Sequence, residues 1–316
     1  MVNVLSTIIV NYNTAHLLDE CLNKLEVALN GFSNQIIIVD NASSDNSVHH
    51  IESKYPKLTL IKNKTNVGFG RANNQALDYL TGEYVLLLNT DAFVSENTIE
   101  LSLQYLIKNP DVGILGVSLT CRDGSPQPSC RFFPTPLNIF TAKTGLHNFF
   151  RKVKLIDDPN LDITLTQECD WVPGCYYLTR RKLINEIGLF DNKFFMYYEE
   201  VDHCFRAKKA GWKVVYFSET NVVHIGGESA KSQGEITSAG KQLSALQLES
   251  ELIYFRQNHG ILASVLNISL SLFVDTYLAL KSLFKSEMNE FNRHEKNIKL
   301  ILTLIFKTKL GTVPTR

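Results

Sequence analysis

Four short apolar runs constrain this chain more than any other feature: Leu5-Ser-Thr-Ile-Ile-Val10, Gln35-Ile-Ile-Ile-Val39, residues 58–62 and Tyr84-Val-Leu-Leu-Leu88. They are rich in branched apolar residues and lack the strict alternation of a strand with one wet face, which predicts strands buried on both sides. Residues 15–29 carry Leu17, Leu18, Cys21, Leu22 and Leu25 at helical spacing and stop at Gly31. A second helix is expected after Ser47, and a third running on to Leu80. Strand alternating with helix predicts an α/β fold with a mostly parallel central sheet flanked by helices.

Ligands of such sheets bind beyond the carboxyl ends of the strands. Here each of those ends is polar: Asn11/Tyr12/Asn13, Asp40/Asn41/Asp45, Asn66/Arg71 and Asn89/Asp91. One polar cluster is an ordinary turn, but four on one rim are hard to assign to turn chemistry alone. Tyr12 offers a flat face to a nucleobase. Asp40 can accept a hydrogen bond from a base or a ribose, or serve only to cap the helix after Ser47. Gly68 and Gly70 permit close backbone approach, and Arg71 carries a fixed cation suited to a phosphate or a base carbonyl. The spacing is not a dinucleotide-binding fingerprint, because Asn73 stands where a third glycine would and the segment does not follow the first strand. Asn89-Thr-Asp91 sets two oxygen-bearing side chains at the end of a buried strand. Such a pair can hold Mg²⁺ or Mn²⁺, although the same pattern is common in plain turns.

A second focus lies at residues 190–206, where an aromatic run from Phe194 to Tyr198 delivers Glu199, Glu200 and Asp202. Adjacent acids beside apolar rings are costly to ionise together, which lifts one carboxyl toward a usable proton acceptor. Acids in a first turn also suit a helix dipole with no chemistry at all. Upstream, Trp171 with Gly174 behind it can pack on a sugar face or serve as a core tryptophan. Downstream, residues 212–217 read as a strand, and His224 precedes the turn 226–229. A lone histidine there is usually a satisfied core residue, yet a neutral imidazole can join Asp91 at a Mn²⁺ site.

Composition removes other classes. Lys+Arg 32 and Asp+Glu 32 cancel, so a nucleic-acid partner is not indicated. Six scattered cysteines without a Cys-x-x-Cys pair argue against a zinc ribbon or a disulfide-stapled scaffold and fit a reducing cytosol. Residues 5–10 are too short for a signal segment and have no charged lead. Residues 112–119 read as a further strand, and 121–138, with four prolines, as a surface loop. Residues 141–159 are basic and weakly periodic, either a mobile flap or a solvated face.

Taken in order, Ile-Val-Asn-Tyr-Asn, Val-Asp-Asn-Ala-Ser-Ser-Asp, Asn-Val-Gly-Phe-Gly-Arg-Ala-Asn-Asn, Leu-Leu-Leu-Asn-Thr-Asp, Phe-Phe-Met-Tyr-Tyr-Glu-Glu-Val-Asp-His-Cys-Phe-Arg and Val-Val-His form a set. Over residues 4–260 this set resembles the family 2 glycosyltransferases of the GT-A (nucleotide-diphospho-sugar transferase) fold. It is most similar to the rhamnosyltransferase-like branch that builds bacterial surface polysaccharides. The resemblance implies inverting transfer from a dTDP- or UDP-linked sugar to a saccharide or lipid-linked saccharide. It implies nucleotide contacts from Tyr12, Asp40, Asn66, Arg71 and Asn89, and Mg²⁺ or Mn²⁺ at Asp91 and His224. Trp171 and Gly174 would face the acceptor. Glu200 stands where the family places its catalytic base, flanked by the supporting acids Glu199 and Asp202. This chain departs from the family there, with Glu-Glu in place of Glu-Asp. A nucleotidyltransferase is disfavoured because the loop after the first strand, Asn11-Tyr-Asn-Thr-Ala15, lacks glycine. A non-catalytic sugar-binding subunit is the other alternative.

Residues 242–258, with Leu243, Leu246 and Leu252, predict an amphipathic helix packed on the main domain. Residues 260–274 carry no charge over 15 positions before Asp275 and Lys281, short of the roughly 20 needed to cross a bilayer. From residue 261 onward eight Lys/Arg outnumber four Asp/Glu. The expected division is therefore a GT-A domain at 1–258 and a helical extension at 259–316. That extension would form a helix hairpin, a homodimer contact, or a helix lying on the inner face of the cell membrane of an otherwise cytoplasmic enzyme.

Overall fold

The structure is a computed structural model that describes residues 4–146, 149–150, 152–226 and 241–316, the side chains of 241–244 excepted. Residues 227–229 of the turn expected after His224, the Leu243 side chain and part of the basic stretch 141–159 thus lie outside the described residues.

The strands β1 (Leu5–Asn11), β2 (Asn34–Asp40), β3 (Thr59–Lys62) and β4 (Tyr84–Leu88) run parallel in the order β3-β2-β1-β4. The helices α1 (Ala15–Ala28), α2 (Ser47–Lys54) and α3 (Phe69–Gln75) connect them. A 3₁₀ turn at Leu77–Tyr79 ends the third connection, where an unbroken helix was expected. Their unbroken apolar character has a simple cause. Successive residues feed two different cores, with Leu5, Ile9, Ile36 and Ile38 on one side and Ile8, Ile37 and Val39 on the other. Helix α1 covers the first core and α3 the second, so neither face of these strands meets water.

The rest of the sheet is mixed. It is built from β5 (Ala92–Val94), α4 (Thr98–Lys108), β6 (Val112–Thr120), β7 (Pro126–Gln127), α5 (Pro136–Thr144), β8 (Gln167–Glu168), β9 (Tyr176–Arg180), α6 (Arg181–Ile187), α7 (Glu199–Lys209) and β10 (Lys213–His224). The order continues β4-β9-β6-β10-β5, with β9 antiparallel to both neighbours and β5 antiparallel to β10. An antiparallel β9 starts where its neighbour β4 ends, so Gly174 and Cys175 arrive beside Asn89. Strand β10 is longer than expected because an irregularity between Phe217 and Asn221 lets it continue to His224.

The C-terminal region is helical: Lys241–Tyr254, a π-helical segment Phe255–His259, a long helix Gly260–Phe284 and a last helix Met288–Lys307. Ala245–Phe284 is long and apolar enough to cross a membrane by length and composition alone, which corrects the expectation that this stretch is too short. Its acid does not break it, because Asp275 turns inward, 2.8 Å from Nδ1 of His294 on the last helix.

Candidate active site

The carboxyl ends of β1, β2 and β4, the start of β9, the end of β10 and the first turn of α7 surround one cavity of about 250 Å³. Tyr12, Asn66, Asn89, Asp91, Gly174, Glu199, Glu200 and His224 all line it. These residues come from segments far apart in the chain, and strand pairing brings them together.

Asp91 and His224 meet because β5 and β10 pair antiparallel, with Ala92 opposite His224. Nε2 of His224 lies 3.5 Å from Oδ1 of Asp91. Gln127 sets the ring. Its Nε2 donates to the His224 carbonyl at 2.6 Å, which leaves its Oε1 to accept from Nδ1 at 2.9 Å. That arrangement assigns the proton to Nδ1 and turns Nε2 toward Asp91, an outer-shell device that orients a metal-ligating histidine. Burial disfavours the imidazolium, but Cys175 and Asp91 outweigh it and push the His224 pKa up to about 10. Among the described residues no group of three or more His, Cys, Asp or Glu could hold a metal by itself. One carboxylate and one imidazole do fit a hard cation that takes its other ligands from a diphosphate and water.

The same cavity also holds an acid pair. Glu199 and Glu200 line the cavity from the first turn of α7, and Oε2 of each is buried without a hydrogen-bond partner. Burial, with Glu200 beside it, holds Glu199 well above the ordinary carboxyl range. Burial also raises Glu200, partly offset by Arg131. The turn that aims them is strained. Tyr197 and Tyr198 have φ of 70° and 67°, a left-handed conformation that costs a non-glycine residue about 1–3 kcal/mol and persists only under outside support. The support is hydrogen bonding: Ser250 donates to the Met196 carbonyl (2.9 Å), and the Tyr198 hydroxyl donates to Glu251 (3.3 Å), which also accepts from Asn267 (2.6 Å).

Gly68 packs against the same segment. The Phe69 N–H donates to the Phe195 carbonyl at 2.8 Å, and a Cβ built on Gly68 would stand 2.3 Å from that same oxygen. With φ of 90° there as well, Gly68→Ala is expected to destabilise the fold by roughly 1–3 kcal/mol and to weaken nucleotide binding, read by thermal melts and ligand titration.

Four expected site residues stand elsewhere. Asp40 is buried, accepting from Asn11 Nδ2 (2.8 Å) and the Ser43 N–H (2.9 Å), while its neighbour Asn41 lines the cavity. It does not cap α2; Asp45 accepts from the Ser47 N–H (3.0 Å) instead. Arg71 lies between the inward-facing Gly70 and Ala72, so it points away, donating to the carbonyls of Asn192 (2.7 Å) and Arg316 (3.0 Å). Trp171 is a core residue, 6% exposed, under the Arg131 guanidinium and donating from Nε1 to the Phe132 carbonyl at 2.9 Å. Asp202 is fully buried, accepting from Arg206 (2.7 Å) and Asn258 (2.8 Å), and so ties α7 to the C-terminal helices. Asp202→Ala is expected to cost about 1–3 kcal/mol in denaturant unfolding, since it removes a buried acceptor shared by Arg206 and Asn258. Sequence reasoning missed Asn41, Cys175 and Tyr197 as cavity walls and Gln127 as the histidine's partner. Asn41 and Tyr197 stood within the polar and aromatic runs, whereas nothing marked Gln127 or Cys175.

The family model described as glycosyl transferase family 2 matches residues 6–188. The N-acetylglucosaminyl-diphospho-decaprenol L-rhamnosyltransferase of Mycobacterium tuberculosis is 27% identical over 243 residues, covering 71% of this chain and 76% of that protein. Rhamnosyltransferase WbbL of Escherichia coli is 27% identical over 202 residues, covering 60% and 72%. Among solved structures, the mannosyltransferase PcManGT from Pyrobaculum calidifontis, in complex with GDP-Man and Mn²⁺, superposes with a TM-score of 0.58 at 15% identity, covering 99% of this chain and 88% of that one. Residues 1–349 of S. aureus TarS give 0.52 at 16% identity, covering 98% and 92%. The shared architecture is the GT-A fold, and with the family model matching more than half of its length this chain belongs to glycosyl transferase family 2.

Proposed function

We propose that this glycosyltransferase moves a sugar, rhamnose by analogy with two of its named relatives, from a dTDP- or UDP-linked donor to a saccharide or lipid-linked saccharide, inverting the anomeric centre. One observation carries the reading: a single cavity is lined both by the Asp91–His224 pair and by two carboxyl groups whose Oε2 atoms have no protein partner. A leaving group and a nucleophile need those two chemistries on opposite sides of the reacting carbon. Tyr12, Asn66 and Asn89 would contact the nucleotide, and Asp40 holds the shape of the β1–β2 rim. Arg71 and Trp171 take no part.

Asp91 and His224 would hold Mg²⁺ or Mn²⁺, which neutralises charge on a departing diphosphate. Glu200 accepts the acceptor hydroxyl's proton as that oxygen bonds to the anomeric carbon and the bond to the diphosphate breaks. One displacement with one base gives inversion; retention would need a nucleophilic carboxylate as well. Burial raises Glu200, which suits a base, and Glu200 in turn adds to the burial that holds Glu199 up. The glycosyltransferase unit is residues 1–258, and residues 259–316 provide peripheral contact with the inner face of the cell membrane. The decaprenol-linked acceptor named for the Mycobacterium tuberculosis relative supports that placement.

Thermal melts with UDP, dTDP and GDP, each with and without Mn²⁺, test the reading. A ligand at 100 times its Kd stabilises the native state by about 2.7 kcal/mol. The expected result is a Mn²⁺-dependent rise with one pyrimidine diphosphate, together with slow donor hydrolysis. No rise with any nucleotide and no hydrolysis would return the chain to a non-catalytic role.

A further inference from the structure

The long helix Gly260–Phe284 is built inside out. Its buried face holds Ser264, Asn267, Ser271, Asp275 and Ser282, beside Ile268, Val274 and Ala279. Its exposed face holds Leu262, Leu266, Phe273, Tyr277, Leu280 and Phe284, with Leu262 83%, Phe273 62% and Phe284 87% exposed. These recur at three- and four-residue steps or their multiples and so form one stripe, about 33 Å long at the helical rise. A helix packed on a protein in water places these two sets the other way round. Small and polar residues toward the protein, with apolar residues outward, are the arrangement of a helix whose outer solvent is hydrocarbon.

We propose that this outer face lies in the acyl layer of an anionic membrane, parallel to the surface, and does not cross it. This deepens the peripheral contact proposed above by naming its surface. Three hydrogen bonds hold the inward face to three separate segments. Asn267 donates to Glu251 (2.6 Å), Lys143 of α5 donates to Ser271 (3.2 Å), and Asp275 meets His294 of the last helix (2.8 Å). Crossing the bilayer would break all three and expose Asp275 to lipid, at a cost of several kcal/mol for each group left unpaired. Lying in the surface breaks none.

Charge favours lipid over a second copy of the chain. The exposed face has no charged residue before Lys281, and Lys285 follows at its end. Both are exposed cations at one end of the stripe, where they would meet anionic headgroups, and they offer no acidic counterpart for the same face of another copy.

The test uses the full chain with two vesicle types, phosphatidylcholine alone and phosphatidylcholine with phosphatidylglycerol. The variant is Leu266→Glu combined with Phe273→Glu, both on the exposed face and outside the cavity. Native protein is expected to float with the anionic vesicles, and the variant to bind at least about tenfold more weakly. Both should keep the same Tm and the same lipid-free donor hydrolysis. In a second measurement, Phe273→Trp is expected to gain blue-shifted emission that brominated lipid quenches, relative to native protein. Equal partition of native and variant, or no quenching at residue 273, overturns the proposal. So does a lipid-free dimer that the variant dissolves, which would assign the face to a second copy. Failure of the catalytic reading would appear separately, as absent donor hydrolysis in the lipid-free samples.

Discussion

Glu200→Gln is expected to lower turnover by about 10²–10⁴-fold, the usual contribution of a positioned proton acceptor, while donor affinity changes little. The isosteric amide preserves the first turn of α7 and removes only basicity. Glu199→Gln should cost less, because Glu199 acts through the shared burial of the pair. The pH profile of kcat/KM should rise through a value above the ordinary carboxyl 4.5, since burial raises Glu200. Stability responds in the opposite sense. Each carboxyl binds its proton more tightly in the folded chain than in the unfolded one. Their contribution to folding is therefore full below about pH 4.5 and is lost as the pH climbs from there through the raised folded values. At neutral pH the pair costs stability, so Glu200→Gln should raise Tm while it lowers turnover. A variant that kept near-native turnover under saturating donor would remove Glu200 from the mechanism.

The second large effect belongs to Asp91. Asp91→Asn keeps the shape at the end of β4 but removes the carboxylate that faces His224 at 3.5 Å. Turnover is expected to fall by roughly 10³-fold or more, given the several kcal/mol a bound cation supplies to a developing anion. The Mn²⁺-dependent part of the nucleotide-induced rise in Tm should vanish with it, and a metal-independent remainder from Tyr12 and Asn66 should persist. An unchanged Mn²⁺ response in Asp91→Asn would place the cation elsewhere. Gln127→Ala offers a graded comparison, since a lost outer-shell partner typically weakens metal affinity by about 10–100-fold.

Most of the expected residues that reached the cavity sit just beyond a strand end, as Tyr12 and Asn89 do, or in the first turn of α7, as Glu199 and Glu200 do. Parallel strands buried on both faces can present polar groups only at their tips, so Tyr12, Asn89 and Asp91 were legible as a rim. Arg71 was read with Asn66 as one strand-end cluster, but only Asn66 reaches the cavity, and Trp171 was tied to no strand end. Whether an α3 residue faces the cavity depends on the rotation of a seven-residue helix, and Gly70 and Ala72 took the inward positions. Trp171 had equal claim to core or surface until the Arg131 guanidinium settled over its ring.

The sequence by itself determined the alternation of strands and helices, the polar strand ends, the acid pair after an aromatic run and a C-terminal region richer in apolar and basic residues. All of these are written in local periodicity and residue type, which report burial along a segment. Tertiary structure alone decided that β9 runs antiparallel inside the sheet, that Gln127 fixes the His224 ring, and that the long helix turns its polar side inward. Those outcomes depend on which segments pair and pack at long range. Periodicity reveals that a helix has two unlike faces, but only its neighbours determine which of them meets the protein.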